Sequence, residues 1–162
     1  MSILIFINLC VLIIYCSLKL YIMKSTSLLS KVYIPAVDGR INIANSDTFI
    51  SMEKIFKEKL DILSTPRVGS MAEIYPILEP ITVSDLVLKY RDRQKFSQQQ
   101  IAVVCKDYRD AIKQEGAATF FIFDDGVAKV NINFNGLGIE YLDAGCDSEI
   151  SADLQPYVVL LP

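Results

Sequence analysis

The residues that could do chemistry are few, and one type is missing: the 162 residues contain no histidine. That excludes Ser-His-Asp and Cys-His catalysis, imidazole metal sites and the usual proton shuttle near neutral pH. Carboxylate and lysine chemistry stays open. Asp124-Asp125 has the form of a carboxylate pair for metal or acid–base work. Its competing reading makes Asp125-Gly126 a hairpin turn, with Asp124 closing it. Asp143, Asp147, Glu149 and Asp153 cluster near the end of the chain, where alternating acids could hold calcium. The EF-hand spacing fails, because position 145 is glycine and the closing position falls on Leu154. These four acids are read instead as a solvated loop and an acidic docking patch.

Other motifs carry less. Gly136-x-Gly138 has no third glycine and lies in a hairpin, not between a strand and a helix, so it is no phosphate cradle. Cys10, Cys16, Cys105 and Cys146 lack the close pairs of a zinc site. Cys105 is either a buried thiol or the partner of Cys146 in a disulfide. No catalytic residue, metal ligand or cofactor is assigned.

Charge is uneven along the chain. Residues 1–31 carry Lys19, Lys24 and Lys31 and no acid. Residues 115–162 carry Glu115, Asp124, Asp125, Glu140, Asp143, Asp147, Glu149 and Asp153 against Lys129 alone. Such an acidic final third repels phosphate backbones and favours a basic protein partner, so nucleic acid is not expected. Lys89-Tyr-Arg-Asp-Arg-Gln-Lys95 is a basic stretch interrupted by Asp92. It suits a solvated helix end or an anionic membrane surface.

From Ile3 to Met23 only Asn8, Ser17 and Lys19 interrupt an apolar run. At 1.5 Å per residue it reaches across a hydrocarbon core of about 30 Å. Nothing basic precedes it, no Ala-x-Ala follows it, and Tyr15 before Cys16 is too bulky for a lipoprotein signal. The expectation is a single-pass anchor over residues 1–24, a tether over 25–30 and one domain over 31–162. Lys19, Lys24 and Lys31 on the C-terminal flank place that domain in the cytoplasm. Were Met23 the start, the chain would be soluble and cytoplasmic.

The elements that must position these residues follow from periodicity. Lys31 to Ile43 predicts a hairpin about Asp38-Gly39, pairing Ala36 with Ile41 and Ile34 with Ile43. Asp47 to Leu63 predicts a helix with Phe49, Met52, Ile55, Phe56, Leu60 and Leu63 on one side. Residues 67–81 read as a loop with at most one short strand. Thr82 and Asp85 begin a second helix over Ser84 to Arg93. Ser97 and Gln100 form a capping box, with Phe96 and Ile101 as its hydrophobic staple. The third helix then buries Ile101, Val104, Cys105, Tyr108 and Ile112 and ends by Gly116.

Turns at Asp125-Gly126 and Asn135-Gly136 predict a β-meander. Its pairs would be Phe123 with Ala128, Phe121 with Val130, Ile132 with Ile139 and Val130 with Tyr141. One face gathers the apolar residues. The other mixes Phe120, Ile122 and Leu142 with Lys129, Asn131, Asn133 and Glu140, and is either a protein-binding surface or covered by the 67–81 segment. Tyr157 to Leu161 suits a final strand. The expected fold is α+β, with about three helices packed on one side of an antiparallel sheet as two layers.

The expected function is a non-catalytic, membrane-tethered protein-binding module. A bacterial inhibitor or immunity protein that binds a basic toxin or enzyme is one form of it. Asp143, Asp147, Glu149 and Asp153 would contact the partner, joined by Phe120, Ile122, Asn131 and Asn133 on the mixed sheet face. The alternatives are an accessory subunit acting through its transmembrane helix, and a divalent-metal enzyme built on the late carboxylates.

Overall fold

The computed structural model describes residues 28–41, 43, 47–49, 51–52, 66–113, 116–123, 126–133 and 135–162. The expected anchor, and most of the helix expected over 47–63, lie outside the described residues. Among those described, no helix is long and apolar enough to cross a membrane.

The fold is mixed α+β. The strands are β1 (Ser30–Ile34), β2 (Ser51–Met52), β3 (Ser70–Pro76), β4 (Ile81–Thr82), β5 (Thr119–Ile122), β6 (Gly126–Asn133), β7 (Gly136–Asp143), β8 (Glu149–Ile150) and β9 (Tyr157–Leu160). The helices are α1 (Val83–Lys89) and α2 (Gln98–Asp107), and a 3-10 turn follows at Arg109–Ala111. Six strands form one sheet in the order β1-β3-β9-β5-β6-β7, and the two-residue β2 extends it beyond β7. The sheet is not purely antiparallel, because β5 runs parallel to β9 and β2 parallel to β7.

Helices cover both faces, so the expected two layers become three. The reason lies in the central strands. All four residues of β5 are buried, as are Val158, Val159 and Leu160 of β9. A strand apolar on both sides needs cover on both sides. On one face α2 contributes Ile101, Val104 and Cys105 to a core with Phe121, Val130, Ile139 and Val159. Phe96, just before α2, meets Phe121 edge-on at 5.2 Å between ring centroids. On the other face α1 contributes Val83 and Leu86 to a second core with Phe120, Ile122, Val127 and Val158. The small β4–β8 pair closes that side, with Ile150 buried.

Both helix starts are as expected. Thr82 accepts from the Asp85 backbone N–H, and Ser97 and Gln100 form the reciprocal capping box. The first helix ends earlier than expected, at Lys89. The second ends at Asp107 and not by Gly116, leaving buried Ile112 after the 3-10 turn.

The meander forms with both hairpins displaced by two residues. Phe121 pairs with Ala128, and Val130 pairs with Thr119 on one side and Ile139 on the other. The Phe123 N–H donates to the Gly126 carbonyl, so Gly126 closes the ladder and is not a central turn residue. A side chain at Gly126 would collide with the Leu142 carbonyl and lie 2.7 Å from the Tyr141 hydroxyl. Glycine is needed there for close approach, not for a positive φ. A two-residue slip keeps every side chain on its face, which is why the face assignments survive the register error.

The hairpin expected at Asp38-Gly39 is not formed. Gly39 does take a positive φ of 78°, and Asp38 Oδ1 accepts from the Arg40 N–H at 3.1 Å. The chain beyond does not return along β1. Instead β1 pairs antiparallel with β3, from Ser30 opposite Ile74 to Ile34 opposite Ser70. The 67–81 segment, expected as a loop with at most one short strand, holds the seven-residue β3. The turn docks on α2: the Gly39 N–H donates to Gln99 Oε1, and Gln99 Nε2 donates to Asp38 Oδ1 at 3.2 Å. Ser51–Met52, within the expected helix, instead form β2 beside β7.

Candidate functional site

A hollow of about 630 Å³ opens on the α1 face of the sheet, over β6 and β7. Its floor is Phe120 from β5 and Leu142 from β7, and Lys129 and Asn131 project from β6. The segment after β7 folds over one side and places Glu149, Asp153 and Leu154 in the lining. Lys129 is neutralised across the strands by Glu140, with Nζ–Oε2 at 2.8 Å. Glu149 and Asp153 are exposed and form no ion pair among the described residues. The hollow therefore combines an apolar floor with a net negative rim.

Four of the eight expected site residues meet here: Phe120, Asn131, Glu149 and Asp153. The others are placed differently. Asp143 is exposed at the end of β7, its Oδ1 accepting from the Gly145 N–H at 2.9 Å. Asp147 is exposed in the β7–β8 connection, 3.4 Å from the Ser84 hydroxyl. Asn133 ends β6, opposite Gly136. Ile122 is 2 % exposed in the second core, and Phe120, 3 % exposed, belongs to the same core and closes the floor of the hollow. The reason is α1, whose Val83 and Leu86 share that core.

The cysteines lie apart. Cys105 belongs to the α2 core and Cys146 borders the α1 core, on opposite faces of the sheet, and both are free thiols. Burial pushes the Cys105 thiol far above its usual range. Among the described residues, no three Cys, Asp or Glu side chains converge to hold a metal ion.

A charged cluster that sequence reading missed sits on the same face at the other side of the sheet. Glu73 of β3 receives Lys31 Nζ at 2.9 Å, Arg93 Nη2 at 3.0 Å and the Tyr75 hydroxyl at 2.9 Å. The hydrogen bond from Lys31, followed by that from Tyr75, holds the Glu73 carboxyl below the usual carboxylate range. The one available signal was Glu73 itself, the sole charge in Ser70–Pro76. Comparison with protein-family models, with curated proteins and with solved structures finds no match to this chain.

Proposed function

We propose that this chain is a non-catalytic, membrane-tethered module that binds a basic protein, seating one of its segments in the hollow over β6 and β7. The observation that carries the reading is the lining itself: an apolar floor beside Glu149 and Asp153, with Lys129 already neutralised. A partner Lys or Arg would lay its stem along Leu142 and Leu154 and bring its charge to the two carboxylates. The acids at Asp143 and Asp147 lie just outside and would steer the approach. An inhibitor or immunity protein that neutralises a basic toxin or enzyme fits this chemistry.

The test is affinity capture with the full chain and with a Glu149→Lys/Asp153→Lys variant. The expected result is one stoichiometric basic partner, whose affinity falls as salt rises and drops at least about tenfold with the double reversal. Unchanged affinity in the reversed variant would remove the hollow from the interface. Capture that vanishes only when residues 1–24 are deleted would assign the interaction to that segment, as in an accessory subunit of a membrane complex.

A further inference from the structure

We propose that the outer face of β1 and β3 is a membrane-contacting surface that lays this end of the domain on anionic lipid. The proposal rests on residues 3–23 being the anchor and goes beyond it, because an anchor alone does not orient the domain it carries.

The exposed large apolar side chains are not scattered. Of the eight among the described residues, five lie on or beside β1 and β3: Leu28, Leu29, Tyr33, Val68 and Met71. Strand alternation puts Leu29, Lys31 and Tyr33 on one face of β1. Met71 stands opposite Tyr33 and Glu73 opposite Lys31. Ile34, Ala72 and Ile74 point the other way, into the α2 core. The α1 core reaches outward as far as Tyr75. Tyr33 and Met71 remain 55 % and 45 % exposed beyond it.

Charge and chain length name the occupant. The Lys31–Glu73–Arg93 bridges tie the 89–95 segment to this face. That segment carries Lys89, Arg91 and Lys95 beside Arg93 in sequence, with Arg91 paired to Asp92 and Lys95 Nζ donating to the Tyr90 carbonyl. A tyrosine and aliphatic side chains among cations suit the headgroup layer, where each cation near the surface is attracted to anionic lipid. The tether also leaves little choice: even fully extended, Lys24 to Leu28 spans only about 14 Å. The strand order sets β1 and β7 at opposite sides, five strand spacings or roughly 24 Å apart. The acidic hollow lies at the other side of the sheet from this patch.

The sequence contains no tryptophan, so one introduced indole reports its own surroundings. The full chain carrying Tyr33→Trp, and a second carrying Leu154→Trp at the hollow, would be reconstituted into phosphatidylcholine–phosphatidylserine vesicles with bromine-labelled acyl chains. Flotation reads the anchor and fluorescence reads the surface. The expected result is a blue-shifted Tyr33→Trp reporter, quenched several-fold more strongly than the Leu154→Trp one. A further Lys89→Glu/Arg91→Glu exchange should reduce that difference. Chains that float while both reporters are quenched equally would overturn the surface and leave the anchor standing. Chains that fail to float would overturn both. A Tyr33→Trp reporter shielded without lipid, and released on dilution, would assign the face to a second copy of the chain and overturn the proposal.

Discussion

Phe120 separates a core residue from an interface residue, and Phe120→Ala measures which it is. A Phe buries about 150 Å² or more. At about 25 cal/mol per Å², losing the ring costs up to about 4 kcal/mol, and compaction of the unfolded chain lowers this to about 3 kcal/mol. That is the low end for Phe→Ala in a core, as expected beside a hollow whose lining can relax. For a domain of this size it lowers Tm by about 10 °C. The assay is guanidinium and thermal unfolding of the full chain, followed by tyrosine fluorescence and circular dichroism. Asn131→Ala, in the wall of the same hollow, is the control and should move stability by less than about 0.5 kcal/mol. A Phe120→Ala cost under about 1 kcal/mol would refute the reasoning, because it would mean that Val83 and Leu86 do not cover β5.

Two further outcomes follow from the charged cluster and the buried thiol. Glu73 has a depressed carboxyl, so its contribution is complete above the unfolded value of about 4.3 and is lost as pH falls through the lower folded value. Glu73→Gln should cost at most about 1 kcal/mol at neutral pH, since Lys31 is half exposed. The gap to the unmodified chain should close as the medium is acidified below the usual carboxylate range. A gap that stays constant in thermal melts down to strong acid would show that the carboxylate charge is not what matters. Cys105 should resist alkylation in the folded chain at mildly alkaline pH, by at least about a hundredfold relative to denatured chain. Peptide mass spectrometry reads this directly, and rapid labelling at Cys105 would contradict its burial between α2 and the sheet.

Local signals in the sequence determined the capping box at Ser97 and Gln100, the Thr82 cap, and the two faces of the meander. Each depends on residues within a few positions of one another, so neighbouring side chains and the period of two decide it. The acidic character of the last third was equally legible, because charge needs no fold to be counted. Tertiary structure decided the rest. The Asp38-Gly39 reversal formed locally, yet β1 took β3 as its partner, because Ala72 and Ile74 extend the same apolar face and α2 glutamines occupy the turn. Sequence left Phe120 and Ile122 either open or covered, and α1 covers them. Glu149 and Asp153 became the rim of a hollow only when the segment after β7 folded back across β6. Pairings between strands far apart in sequence are chosen by competition among whole faces, and no local pattern records the outcome of that competition.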